Sequence, residues 1–415
     1  LADALDLYGR AVSPLTGVVR QVLALPPLDR APAVHYAAAV PAQRHVSGAR
    51  QVAEGAGASN DPRRATVKAL GESLERYAAA FPATAAVHAA AGELTGHRLD
   101  PGGLLLYSAE QYAAPGFPYR PAAPDLPLGW EAGRRLGRTE RCWVPAGLTR
   151  LPHRRAPGEA RLAKETSTGL AAAVSASRAT VSAVLELVER HAFMKLWRYG
   201  DRSALIEQGS VHDPDVRSLL ARVRQAGYRC SLLRVGDYGR VSVVLAFAVP
   251  EDRRPPLFAL GAGTACCDLH AARSAVEELC LNIYGLLRLI EQGQEPGLTT
   301  LAGQSLLFAV DETAAAEARE ALEESVTART RARGGPRCPS LGPGELTATL
   351  DPLTGPDSPV CVVDVTPSDL RLIGVHVHRA VAPGLLLLEH DSSARFEAAD
   401  LRHGPPVRTG AHPFP

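Results

Sequence analysis

Two stretches carry apolar residues at helical spacing. In residues 64–81 the stripe is Val67, Leu70, Leu74, Tyr77 and Ala78. In residues 175–199 it is Val181, Val184, Leu185, Val188 and Ala192, with Ser175 or Ser177 placed to cap the start. Spacings of three and four put such side chains on one helix face. Helices are also expected over 213–226, 268–292 and the charged, alanine-rich 310–332. Apolar and β-branched runs predict strands in 8–24 after the Ser13–Gly17 turn, then at His35–Val40, 228–236, 240–249, Phe258–Thr264, Val360–Val365 and Leu372–Val381. Residues 54–62 read as a glycine-rich loop, and 333–357 as a Gly/Pro-rich one. Residues 84–160 read as irregular, with an extended Arg141–Pro145. Helices and strands are equally frequent, and hairpins mix with crossovers. The expected fold is α+β or mixed α/β.

Composition narrows the function. The 415 residues are 46% apolar and 21% charged, with a net charge of +1 from 45 basic and 44 acidic residues. That balance, with few aromatics, argues against a nucleic-acid groove or an anionic membrane surface. No run reaches the ~18 apolar residues of a membrane span, and the first residues lack the features of a secretory signal. Seven cysteines without a Cys-x-x-Cys favour thiols over a disulfide framework or a zinc site, which fits a reducing cytoplasm.

The candidate chemistry lies beside the helical stripes. Glu72-Ser-Leu-Glu75-Arg76 and Glu186-Leu-Val-Glu189-Arg190 share one pattern. Glutamates three apart share a helix face. Phe193 and Trp197 carry apolar character around the second pair, so those carboxylates border buried surface. Half-buried carboxylate pairs are costly unless cations or hydrogen bonds match them. A clustered Glu set without His or Cys selects hard cations, magnesium first, and carboxylate-bound magnesium usually accompanies phosphate. Arg76 and Arg190 are within reach of phosphate oxygens. The chain has no Walker-type loop, no Gly-x-Ser-x-Gly elbow and no His-Glu-x-x-His. Gly55-Ala-Gly57 is only a weak phosphate-loop match. The residues alone therefore indicate a Mg-nucleotide site that is not a P-loop.

In order along the chain, Lys68-Ala-Leu-Gly-Glu72-Ser-Leu-Glu75-Arg76-Tyr77, Ser167-Thr-Gly-Leu-Ala-Ala, Leu185-Glu186-Leu-Val-Glu189-Arg190, Arg273-Ser-Ala-Val-Glu277, Ala382-Pro-Gly-Leu385 and the final His-Pro-Phe-Pro415 resemble the YcaO family. The resemblance runs from Ser13 to the last residue. It implies one YcaO-type catalytic domain over 1–415, with two Glu-bearing helices lining a nucleotide site. It further implies an ATP-dependent cyclodehydratase of the azoline-forming branch, which makes thiazolines and oxazolines in ribosomal peptides. Glu72, Glu75, Glu186 and Glu189 would hold Mg2+ against ATP, with Arg76, Arg190, Arg273 and Glu277 binding nucleotide. Composition alone predicts a disordered tail from Gly404. The resemblance instead brings 404–415 to the active site, with the terminal carboxylate of Pro415 as a base. Implied partners are a ribosomal precursor peptide, a leader-binding protein of the ThiF-like or ocin type and an FMN-dependent azoline dehydrogenase. A homodimer is compatible with the resemblance.

The chain departs from the family pattern at Lys68, where Ser is usual, and at Ala56, usually Lys. It also departs at Ala173-Val174, usually Gly-Asn, at Arg178, usually acidic, and at His191, usually Asp. These departures keep two alternatives open: a YcaO-like scaffold without ATP turnover, or a YcaO that forms a thioamide or a macroamidine.

Overall fold

The computed structural model describes residues 1–42, 54–81, 87–334, 341–354 and 359–414. Cys338 and Pro415 lie outside them. From the N-terminus come α1 (Ala2–Gly9), β1 (Val19–Ala24), β2 (His35–Pro41), β3 (Gly55–Ser59) and α2 (Pro62–Ala80). Then follow β4 (Val87–Ala90), β5 (His97–Arg98), α3 (Ala109–Ala113), β6 (Pro127–Arg135), β7 (Arg141–Pro145), β8 (Leu170–Ala173) and α4 (Ala176–Tyr199). The middle holds β9 (Ser203–Ile206), α5 (Pro214–Gln225), β10 (Tyr228–Tyr238), β11 (Val241–Pro250), β12 (Ala259–Ala265) and α6 (Asp268–Glu291). The last part has α7 (Leu301–Val310), α8 (Glu312–Glu324), β13 (Val326–Thr330), α9 (Pro343–Thr354), β14 (Cys361–Asp364), α10 (Ser368–Leu372), β15 (His376–Val381) and α11 (Asp400–His403).

The strands form three sheets among the described residues: β1-β2-β3, β12-β11-β10-β9-β13, and β5-β7-β6-β14-β15-β8 with β4 on β6. Antiparallel pairing dominates, and the architecture is the expected mixed α+β. Two units repeat. In each, a three-stranded antiparallel ladder ends in a Gly-Ala-Gly strand (β3 or β12), and the next helix (α2 or α6) lies on it. Side chains at those glycines would collide with the helix. A Cβ at Gly55 would meet the Ala69 carbonyl oxygen at 2.0 Å, and one at Gly261 would meet that of Ala275 at 2.3 Å.

That contact corrects the loop expected over 54–62. Glycine here is not a turn signal; it lets a paired strand touch a helix backbone. The irregular reading of 84–160 misses β6, a nine-residue strand in the largest sheet. Its Pro127 and Gly129 weaken the strand signal, and β4 and β7 supply most of its pairing, with β14 joining at Arg134 and Arg135. The helix expected over 310–332 ends at Glu324, and its remainder becomes β13, parallel to β9. The loop expected over 333–357 contains α9, and α10 replaces the start of the strand expected from Leu372.

Three hydrophobic clusters organise the packing. One lies around α4, β10, β11 and β12, one around α2 and the largest sheet, and one around α5 and α6. Cys142, Cys230, Cys267, Cys280 and Cys361 are free thiols. Cys266 is disulfide-bonded, a departure from the all-thiol reading.

Candidate active site: a carboxylate-lined double cavity

The helix sequences position the acidic side chains. Asp61 caps α2, its carboxylate accepting the Arg63 N–H, and Pro62 occupies the first turn, where no N–H is needed. With Leu70, Leu74 and Tyr77 buried, Glu72 and Glu75 are held at the edge of the core. Ser175 caps α4 and Gly200 ends it in the left-handed conformation. That helix buries Val184, Val188 and Ala192 and presents Glu186 and Glu189 beside them. Both helices pack on β8, α4 also on β12, and α6 on both β3 and β12.

Two adjoining cavities result, of about 390 and 410 Å3. Glu72, Glu186, Glu278 and Leu281 line both. The first is completed by the β3 backbone at 56–58, Lys68, Glu189, Thr264 and Glu277. The second is completed by Arg76, Ser167, Thr168, Arg190 and Asn282, with leucines on the side of α6 and α7.

Each carboxylate is fixed by its surroundings. Glu72 accepts the Ala56 N–H at 2.7 Å and pairs with Arg76 at 2.5 Å. Glu75 accepts the Ala172 N–H of β8 at 2.8 Å. Glu189 accepts the Thr264 hydroxyl at 2.9 Å, and Arg190 lies 3.5 Å from Glu186 and 3.6 Å from Glu189. Glu278 accepts the Ala262 N–H at 2.5 Å. Burial pushes the Glu75 carboxyl well up; the Ala172 N–H opposes this and Glu186 and Glu72 add to it. Burial also raises Glu186, with Arg190 opposing and Glu189 adding. Glu278 is pushed up to about 7 by burial, against the pull of Arg190, with Glu189 adding to the rise. The cluster thus holds more negative charge than its own cations offset.

Glu72, Glu186, Glu189, Glu277, Arg76 and Arg190 meet at the cavities, as their motifs suggest. Glu75 sits behind the wall, against β8. Arg273 is not part of it; its guanidinium lies 3.9 Å from Asp215 of α5. Glu277 is 2% exposed, accepts the Ser59 hydroxyl at 2.6 Å and pairs with Lys68 at 2.6 Å. Lys68 is therefore a structural partner of Glu277. Arg178 is exposed in the first turn of α4, outside both cavities. His191 is buried, its Nδ1 accepting the Leu386 N–H at 3.0 Å. Burial, with nearby cationic groups, pushes it down to about 3. The tail is not frayed. Phe414 is fully buried, its carbonyl accepts the Ser305 hydroxyl, and Arg190 stacks 4.2 Å over its ring. Glu278, Thr264 and Asn282 are site residues that the motif reading missed.

A family profile described as YcaO cyclodehydratase, ATP- and Mg2+-binding, matches residues 56–386. The chain belongs to the YcaO family. Its cofactors are accordingly ATP and Mg2+. No curated protein matches the sequence. The fold is similar to that of a heterocyclase solved in complex with substrate and cofactor, with a TM-score of 0.74 and 19% identity. That match covers 99% of this chain but 57% of the other, so this YcaO chain spans little more than half of that protein's length. YcaO from Methanopyrus kandleri, solved with AMPPCP and Mg2+, matches at TM-score 0.64 and 19% identity, over 91% of this chain and 88% of the other. A chain of the E. coli microcin synthetase McbBCD complex with pro-MccB17 bound matches at 0.69 and 14%, over 95% and 96%.

The YcaO cavity residues fit the family's cofactors. Carboxylates of Glu72, Glu186, Glu189 and Glu278 lining the adjoining cavities suit a hard divalent cation. Arg190 Nε and Nη1 are buried without a hydrogen-bond partner, a donor pair suited to phosphate oxygens. No described helix is long and apolar enough to cross a membrane.

Proposed function

We propose that this YcaO enzyme forms azolines from Cys, Ser or Thr residues of a ribosomal precursor peptide. The observation that carries the reading is the shared wall. Glu72 and Glu186 face both cavities, so a nucleotide in one and a peptide in the other meet at the same carboxylates. In this reading residues 1–415 act as one catalytic unit. Glu72, Glu186 and Glu189 hold the metal ions, with Glu75 backing them from behind the wall, Arg190 on phosphate and Arg76 orienting Glu72. Glu277, tied to Lys68 and Ser59, shapes the nucleotide end.

The substrate thiol or hydroxyl adds to the preceding amide carbon, and its proton leaves to base. The amide oxygen takes the γ-phosphoryl group of ATP, and phosphate then departs as the amide nitrogen gives up its proton and the C=N bond forms. The net change is loss of one water, with ATP converted to ADP and phosphate. Bound Mg2+ supplies charge neutralisation for the transfer. Arg190 is held under the Glu186 and Glu189 carboxylates and over Phe414, so its orphan N–H groups are already oriented. The packed tail supports a route for 404–414 to the site through Ser305, which lines the second cavity.

The substrates, a separate leader-binding protein, an azoline dehydrogenase and a cytoplasmic setting belong to the same proposal. Incubation of the chain with a precursor peptide, its leader-binding protein and Mg-ATP should give peptide lighter by whole waters. Glu189→Gln should abolish that loss. Unchanged peptide mass with the wild-type chain, together with no Mg-dependent ATP binding, would refute the reading. It would favour the scaffold alternative, for which the neutralising Lys68–Glu277 pair is the supporting observation.

A further inference from the structure

The largest sheet carries a separate cleft of about 940 Å3, which shares no lining residue with the two carboxylate cavities. α4 lies on β15 and β8 of that sheet. Beside it, Ala132 and Gly133 of β6 and Val362 of β14 form the cleft floor. One wall is the first turn of α4, and the other is the hairpin that joins β6 to β7. α4 thus serves two places: Ala176, Ser177 and Thr180 line this cleft, while Ser182, Glu186 and Glu189 line the carboxylate cavity.

The hairpin brings four guanidinium groups to the cleft: Arg134 and Arg135 from β6, Arg138 from the turn and Arg141 from β7. Register sets Arg134 directly opposite Arg141. Like charges so placed destabilise a strand pair unless an anion offsets them. Arg135 lies 3.4 Å from Glu140, but among the described residues Arg134, Arg138 and Arg141 have no ion pair within 4.0 Å. The chain as a whole carries only +1, so this excess is local. The one carboxylate lining the cleft, among the described residues, is Asp364, and Arg371 at 3.0 Å and Thr366 already hold it.

Two further groups on the same walls suit an anion. The His378 side chain is 9% exposed; its Nδ1 shares a hydrogen bond with the Thr180 hydroxyl at 2.8 Å, and its Nε2 is buried without a partner. With Thr180 donating to Nδ1, Nε2 carries the proton and is a donor. Ala176 and Ser177 belong to the first turn of the 24-residue α4, where backbone N–H groups have no intrahelical partner. The cations are spread over two strands and a turn above a small, apolar floor. That spread matches a run of carboxylates on an extended chain better than one compact anion. We propose that the cleft binds an acidic peptide segment, with its carboxylates on Arg134, Arg138 and Arg141 and one of them at His378 and the α4 N-terminus. The cleft gives the enzyme a hold on an acidic polypeptide that is independent of its nucleotide site.

The probe is a fluorescently labelled oligoglutamate peptide, followed by anisotropy with the full chain. It should bind, an oligolysine peptide should not, and binding should weaken as salt is raised. The double variant Arg134→Glu/Arg138→Glu changes two exposed side chains and should lower the affinity about tenfold or more. Arg217→Glu/Arg319→Glu makes the same change in charge on exposed faces of α5 and α8 and should leave the affinity near that of the wild type. Calorimetric unfolding checks that both variants are folded. No binding by the wild type, or an equal loss in the two variants, would overturn the proposal. An oligothymidine of the same charge that binds as tightly would overturn the assignment to a peptide.

Discussion

Neutralising Glu278 should stabilise the metal-free protein, and by an amount that depends on pH. Burial beside Glu189 raises this carboxyl from its ordinary 4.5 to about 7. A raised folded-state value favours the protonated form, so its contribution to stability is complete below about pH 4.5 and is lost as pH rises through about 7. Every tenfold gain in proton affinity is worth ~1.4 kcal/mol, so ionised Glu278 costs the metal-free fold about 3 kcal/mol above that range. Glu278→Gln removes the charge and keeps the hydrogen bond from Ala262. With an unfolding entropy of ~2 cal/mol/K per residue, the gain amounts to about 4 °C in melting temperature for a chain of this size.

The wild-type profile alone would not isolate this effect. His191 and His412 are pushed down to about 3 by burial and destabilise the fold as pH falls below their ordinary value. Their contributions cancel in the difference between variant and wild type. The assay is scanning calorimetry of both proteins in a metal chelator, from about pH 4.5 to about pH 8. The variant should match the wild type at the acid end and exceed it at the alkaline end. An equal difference across the range, or a less stable variant at about pH 8, would refute the electrostatic argument.

Two further outcomes follow from the same geometry. Lys68→Ala leaves Glu277 with Ser59 and an Arg64 that is 3.9 Å away. Breaking a buried pair costs ~3–5 kcal/mol, and discounting for the one-third exposure of Lys68 gives a loss of about 2 kcal/mol in urea unfolding, recovered in the Lys68→Ala/Glu277→Gln double variant. Phe414→Ala empties a fully buried position between Phe193 and Arg190, which should cost about 3 kcal/mol and open the tail to carboxypeptidase. A tail that stays resistant would contradict the packing role of Phe414.

Much of the site is legible in the chain because helical periodicity is local. Glu72 and Glu75, or Glu186 and Glu189, fall beside a buried stripe whatever else the protein does. The motif order then identifies the family. Glu278 is harder to find because its signal is a distance rather than a motif: Gly-Ala-Gly followed sixteen residues after its alanine by a glutamate, twice. β13 is hidden for a related reason: its strand character comes from β9, far along the chain, whereas β6 pairs mainly with its neighbours β4 and β7 and is masked by Pro127 and Gly129.

Spacing and side-chain chemistry were enough to place the long helices α2, α4 and α6, the mixed α+β class and the two Glu-x-x-Glu-Arg motifs on them. Which residues share the cavity was settled by packing in three dimensions. Strand–helix contact through Gly55, Gly57, Gly261 and Gly263 brings α2 and α6 to the same wall and adds Glu278 to it. The same packing puts Lys68 on Glu277, turns Arg273 toward Asp215 and seats Phe414 under Arg190. Such pairings join residues far apart in the chain, and closure of the fold selects among the partners that local spacing leaves open.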